Sequence, residues 1–213
     1  MKRSTLLVQL TLVLTCSSVN SQQPIPPAPL LPFADNKQWV LFDDMKYEVG
    51  TSGVVIIVPK GFVTDFASIP QALWSTGLSP NGLYSKAAVV HDYLYWTQTC
   101  TRMQSDNLLM IAMRESGVGR TTRQLVYDGV HLGGDGAWSS NARERASGLP
   151  RVVPADRMKF GALVLWPDYR ADLARAGVVD PAFPPNPPYC QLGDTQNVPA
   201  APAPAAPGSA GAP

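Results

Sequence analysis

The side chains best suited to chemistry in this chain are His91, Asp92, Asp106 and Asp65. Between Lys86 and Arg102 the only ionisable groups of acid or imidazole type are His91 and Asp92, set among Ala87, Ala88, Val89, Val90, Tyr93, Leu94, Tyr95 and Trp96. A helix that is apolar on nearly every side is a buried helix. A carboxylate buried without compensation costs several kcal/mol, so Asp92 requires a cation, a donor or a proton.

A second relation is geometric. If a turn near residues 98 and 99 joins two antiparallel helices, His91 lies about as far before it as Asp106 lies after it. At about 1.5 Å rise per residue the two side chains are then level. A carboxylate level with a buried imidazole accepts from one ring nitrogen, which fixes the tautomer and leaves the other nitrogen free as a base. Asp106 shares a helix face with Leu109, Met110 and Met113, so it too points toward apolar neighbours. Tyr95, one turn beyond His91 and Asp92, reaches far enough to hydrogen-bond one of the carboxylates.

The loop from Gly61 to Pro70 adds Asp65 and backbone carbonyls. Asp65, Asp92 and loop carbonyls together form an all-oxygen site of the kind calcium accepts. Plainer readings stand beside each of these. Asp65 and Ser68 suit local turn bonds, His91 and Asp106 suit a satisfied core pair without catalysis, and Asp92 suits pairing with Lys86 or Arg102. Zinc is disfavoured, because the chain has two histidines and neither a Cys-x-x-Cys nor a His-Glu-x-x-His pattern. His131 falls near the expected end of a third helix, where a contact with the helix dipole explains it.

The elements that must position these groups follow from pattern. Trp39 to Val49 and Val54 to Val58 read as strands around a Gly50 to Gly53 turn. Ser85 to Trp96, Arg102 to Ser116 and Thr121 to Leu132 read as helices, the last two stopped by Gly117 and by Gly133-Gly134. The fold class expected is mainly α with a small β-hairpin.

The ends of the chain read differently. Residues 1–21 have the charged start (Lys2, Arg3) and short apolar run of an export signal, too short to span a bilayer comfortably. Cys16 also stands where a lipoprotein signal is cut and acylated, although Thr15 before it fits that pattern poorly. Both readings place the protein in the periplasm, on the outer membrane or outside the cell. Residues 22–32 are a proline-rich linker, 33–178 a globular domain, and 179–213 a Pro/Ala-rich tail expected to be disordered. In an oxidising compartment Cys100 and Cys190 suit a disulfide tying tail to domain, with two free thiols as the alternative. Loss of Lys2 and Arg3 takes the formal charge from +1 to −1, so no pull toward nucleic acid is expected.

The runs "VPKGFVTDFASIP", "AAVVHDYLY" and "SDNLLMIAM" resemble, over roughly Trp39 to Trp138, a bacterial and phage family of unknown function (domain-of-unknown-function number 1353). In the same order, "TDFAS", "AAVVHDYLY", "TRMQSDNLLMIAM" and "LVYDGVHLGG" are similar to the secreted bacterial phospholipases A2. That second resemblance implies a phospholipase A2-like helical hairpin core acting at a phospholipid or membrane surface. It implies His91 as general base, oriented by Asp106, with Tyr95 as the helix tyrosine. It also implies calcium held by Asp65 and Asp92 with the Phe66 carbonyl, and hydrolysis of the sn-2 ester by water. Ser68 as a nucleophile lacks a Gly-x-Ser-x-Gly elbow. Leu73-Trp74, Leu78 and Leu83-Tyr84 form either an apolar lip for lipid or ordinary packing. Ala67 and Ala88 stand where that family has a loop-to-helix disulfide. A non-catalytic envelope or phage-derived module is the competing class.

Overall fold

The computed structural model describes residues 28–66 and 82–201, so the export signal, Cys16, Ala67, Ser68, Leu73-Trp74 and Leu78 lie outside the described residues. The architecture is mixed α/β, with helices dominant and two small antiparallel sheets. Strands β1 (Leu30–Pro32), β2 (Trp39–Leu41) and β5 (Val63–Thr64) form one sheet in the order β1-β2-β5. Strands β3 (Met45–Glu48) and β4 (Val55–Val58) form the expected hairpin, paired from Met45 with Val58 to Glu48 with Val55. Gly50 and Gly53 close its turn at φ 64° and 76°, a region glycine enters without steric cost.

The single strand expected over 39–49 is broken between Leu41 and Met45. Asp44 accepts there from the Lys60 amide at 2.8 Å, and the chain leaves one sheet for the other. The three-stranded sheet was not anticipated. Its β1 comes from residues assigned to the linker, where Leu30 to Pro32 pair with Leu41 to Trp39.

Helix α1 (Ser85–Thr97) and helix α2 (Arg102–Glu115) are the core. Every residue of α1 except Lys86 is buried. Gln98 ends it in the left-handed region at φ 51°, its amide returning to the Leu94 carbonyl. Three residues later Thr101 opens α2 with a reciprocal capping box to Gln104, satisfying two orphan amides. That short connection is what makes the two helices a hairpin. Ile56 and Val58 on the inner side of β4 join this core. A smaller cluster gathers Phe33, Val40, Val63 and Val153 under Trp166 and Leu173 of α4 (Trp166–Arg175).

Helix α3 (Arg120–Ala146) departs from the expectation of an end at Gly133-Gly134, because it runs through them. Tertiary bonds outweigh the low helix propensity of four glycines. Gln98 donates to the Trp138 carbonyl at 2.7 Å and Asn141 to the Tyr95 carbonyl at 3.2 Å. Arg145 caps the end of α1 through the Trp96 and Thr97 carbonyls. Gly134 also has a packing reason: a Cβ there would lie 2.4 Å from the Tyr95 hydroxyl.

The expectation of disorder past residue 178 does not describe residues 179–201. Cys190, in α5 (Tyr189–Leu192), is disulfide-bonded to Cys100 at the hairpin turn. Beyond it the chain lies along α2, with Asn107 donating to Gly193 at 2.8 Å and Arg114 to Gln196 at 2.7 Å. It then reaches the β3–β4 turn, where the Thr51 amide donates to Pro199 at 3.1 Å. Covalent and side-chain anchors thus order a segment whose composition alone would leave it extended.

The glycines of α3 give a paired prediction. Gly133→Ala meets nothing within 4 Å and should raise stability by up to about 1 kcal/mol. Gly134→Ala should lower it by about 1–3 kcal/mol, since Tyr95 is buried and hydrogen-bonded and cannot step aside. Urea unfolding of the two variants checks the contrast, and equal shifts would contradict the packing role of Gly134.

Candidate functional site

The hairpin brings His91 and Asp106 level, as the spacing requires. His91 Nε2 lies 3.1 Å from Asp106 Oδ1, and both side chains are buried. Tyr95 donates to the same oxygen at 2.6 Å. On the other oxygen, Arg102 Nη1 stands at 3.1 Å and His131 Nδ1 at 3.5 Å. Burial pushes the Asp106 carboxyl up, but the hydrogen bonds from His91 and Tyr95 and the charge of Arg102 outweigh it, and the group is held below the ordinary carboxylate value. Asp106 is therefore ionised at neutral pH and accepts only. The neutral His91 ring must then carry its proton on Nε2. Its Nδ1 is buried and has no hydrogen-bond partner. With Nε2 turned to the carboxylate, Nδ1 is the ring atom of His91 with a lone pair to offer; His131 Nδ1, across the carboxylate, is also buried without a hydrogen bond.

Arg102 is thus the partner of Asp106, one helical turn away, and not of Asp92. It also bonds the His131 carbonyl at 3.0 Å and Asp135 at 2.9 Å. His131 stands in the middle of α3, stacked on Tyr127 at 5.4 Å, so the helix-end reading of it is replaced.

Asp92 turns to the opposite side of α1, toward β5 and the loop behind it. Its Oδ2 accepts from Thr64 Oγ1 at 2.5 Å and from the Asp65 amide at 3.1 Å. Thr64 Oγ1 also accepts from the Phe66 amide at 3.1 Å, and Phe66 takes a left-handed φ of 57°. The loop is therefore wrapped around the carboxylate, and Asp65, Phe66 and Asp92 come together as expected. Burial first, and then the charge of Asp65, push the Asp92 carboxyl up to about 8, against the opposing pull of Arg151 and Thr64.

Three features of the site were not anticipated. Arg151 lies 3.6 Å from Asp65 Oδ1, donates to the Val63 carbonyl at 2.9 Å and packs over the Trp96 ring. It comes from a stretch whose pattern is irregular, and nothing local marks it. Tyr84, for which a lipid lip and ordinary packing were both open, is fully buried, and its hydroxyl has no hydrogen-bond partner. Burial, followed by the charges of Asp92 and Asp65, raises that phenol well above its ordinary value, so it remains a donor. The third is the position of His131 on Asp106; of the lip, Leu83 alone among the described residues is exposed.

Residues 39–130 match the family described as "Protein of unknown function (DUF1353)". The DUF1353 segment runs from β2 into α3 and so contains every site residue except His131 and Arg151. The uncharacterized protein y4jT of Sinorhizobium fredii (strain NBRC 101917 / NGR234) is 38% identical over 71 residues, which are 33% of this chain and 21% of that protein. The match thus spans about a fifth of that relative's length. No solved structure matches the chain.

The shift of Asp92 gives a pH prediction. Between about pH 4, the ordinary aspartate range, and about 8, the folded protein holds a proton that the unfolded chain has lost. This group's contribution is therefore full below the unfolded value and is lost as pH rises to 8. In calcium-free buffer Asp92→Asn should gain on the wild type by at least about 1 kcal/mol between pH 5 and pH 8. Denaturant unfolding at the two pH values measures the difference, and an unchanged difference would contradict the raised carboxyl.

Proposed function

We propose that the protein is an exported, calcium-dependent ester hydrolase of the phospholipase A2 type, acting on a lipid ester with His91 as general base. The observation that carries this reading is His91 itself: Nε2 held by an ionised carboxylate, and Nδ1 buried without a partner. In this reading His91 Nδ1 removes a proton from a water molecule as that water attacks the ester carbonyl. Asp106 stabilises the imidazolium that results, and Tyr95 fixes Asp106. The proton then passes from His91 to the departing alkoxide, leaving a fatty acid and an alcohol. No side-chain nucleophile takes part.

The donors offered to calcium suit that ion in kind. Burial and the charge of Asp65 raise the Asp92 carboxyl against the pull of Arg151, so a further cation would be welcome, and the loop around them supplies backbone oxygens, Phe66 foremost. Among the described residues no three His, Cys, Asp or Glu side chains gather as a metal site, so backbone carbonyls or water would have to complete the shell. When bound, the ion would polarise the ester carbonyl and lower the energy of the developing oxyanion. Arg151 neutralises part of the same charge, and Thr64 holds Asp92 in place.

Two further observations bear on location. The Cys100–Cys190 disulfide suits an oxidising compartment, in line with the export signal read at the N-terminus. No helix among the described residues is long and apolar enough to cross a membrane. The phospholipase A2-like relation of the helical hairpin belongs to the same proposal, which rests on the His-Asp-Tyr arrangement. A structural, non-catalytic module is the second reading, favoured by Arg102 and Arg151, which already give both carboxylate centres a cation.

Release of fatty acid from an sn-2-labelled phospholipid, with calcium and then with chelator, tests the proposal. Calcium-dependent release should fall about 100-fold or more in His91→Ala while the fold stays cooperative. Asp92→Asn should weaken calcium binding in calorimetry. No release from several lipids would leave the structural module, and full activity in His91→Ala would remove His91 as the base.

A further inference from the structure

Helix α1 and its cap carry two buried phenols in opposite states. Tyr95 donates to Asp106 at 2.6 Å. Tyr84, at the helix start, is wholly buried, and its hydroxyl makes no hydrogen bond. A buried hydroxyl without a partner bears the full cost of its desolvation, so such a group calls for an explanation. None of the steps assigned to His91, Asp106 and Tyr95 uses it.

Its direction follows from the helix. Tyr84 already has helical backbone angles (φ −73°, ψ −24°), and its carbonyl accepts from the Ala88 amide at 3.0 Å. Residues 84, 88 and 92 therefore lie along one side of α1, and helical side chains lean toward the N-terminus. Asp92 thus leans back toward Tyr84 over Ala88, which is too small to screen one from the other. Electrostatics agrees: after burial, the charges of Asp92 and Asp65 act most on this phenol. The hydroxyl is turned to the acid centre and bonded to neither carboxylate.

We infer that Tyr84 belongs to the oxygen shell of a hard cation held by Asp65 and Asp92, its phenol oxygen meeting the ion directly or through one ion-bound water. The occupant must be small, because the hydroxyl is closed to solvent and a lipid chain does not reach it. It must be positive, because two carboxylates face it and Arg151 balances only one of them. It must also offer the phenol an oxygen or take its lone pair. A divalent cation with its water meets all three conditions. Two acids, a backbone carbonyl and a phenol are an all-oxygen set that suits calcium. Tyr84 thereby adds a neutral ligand and no further negative charge. The identity of the ion as calcium rests on the hydrolase reading, whereas the place of Tyr84 beside the acids rests on the fold.

Calorimetry of calcium and of terbium binding to the full chain, at one pH, compares the wild type with Tyr84→Phe and Tyr95→Phe. Tyr84→Phe should weaken both ions about tenfold, the worth of one bond to a charged group. In chelator its urea midpoint should equal or exceed that of the wild type, because an unpartnered hydroxyl is removed. Tyr95→Phe should do the reverse, with a lower midpoint in chelator and unchanged ion affinity. Equal ion affinity in the wild type and Tyr84→Phe would overturn the inference and leave the hydrolase reading standing. A lowered midpoint of Tyr84→Phe in chelator, or its failure to fold, would show the hydroxyl already engaged without the ion and overturn it as well. Binding of neither ion by the wild type would overturn both the inference and the calcium step. A tenfold loss in a protein that releases no fatty acid would keep the ion site and remove the hydrolase reading.

Discussion

A fully buried, ionised carboxylate must be surrounded by donors, and in this protein that demand falls on Asp106. Three groups from two helices answer it, His91 and Tyr95 from α1 and Arg102 from α2, with His131 of α3 standing beside them at 3.5 Å. Each of those helices is fixed in turn by the requirement. The turn between α1 and α2 must be short enough to keep His91 level with Asp106. Helix α3 must come close enough to Tyr95 that residue 134 has no room for a side chain. Removing one partner leaves a charge in the interior that water cannot reach, which is far more costly than losing the bond itself.

The second carboxylate centre is organised by the opposite condition. Asp92 has donors but shares its surroundings with Asp65, and burial with like charge drives it toward the neutral form. Arg151 offsets only part of this. One helix therefore carries two adjacent residues with contrasting roles: His91 faces a carboxylate that stays charged, and Asp92 faces one that makes its own charge costly. A neutral base beside a carboxylate pair that gains from a cation is the arrangement from which hydrolysis by activated water is inferred.

Much of this was legible in the sequence because it rests on local spacing. The distances of His91 and Asp106 from a shared turn, the apolar run around Asp92 and the acid loop at Asp65 all depend on residues close along the chain. What was not legible depends on distant segments. Arg151 reaches Asp65 from 86 residues away, and its neighbourhood has no periodic pattern to mark it. The glycines of α3 carry a breaker signal that local propensity reads as an end, yet bonds to the exposed carbonyls of α1 carry the helix through. The tail reads as disordered by composition, but the disulfide, the side chains of α2 and the β3–β4 turn order its described part. Lip and packing were both open for Leu83-Tyr84, because adjacent apolar residues do not say which of them faces inward; Tyr84 packs and Leu83 is exposed.

The central claim is that the Asp106 carboxylate fixes the proton of His91 on Nε2 and leaves Nδ1 bare. The tautomer of His91 in the wild-type protein at pH 8, read from the nitrogen-15 shifts of its two ring nitrogens, tests this most directly. The account predicts a protonated Nε2 coupled to a carboxylate and an unprotonated Nδ1. A proton on Nδ1, or a rapidly exchanging mixture of the two tautomers, would contradict it.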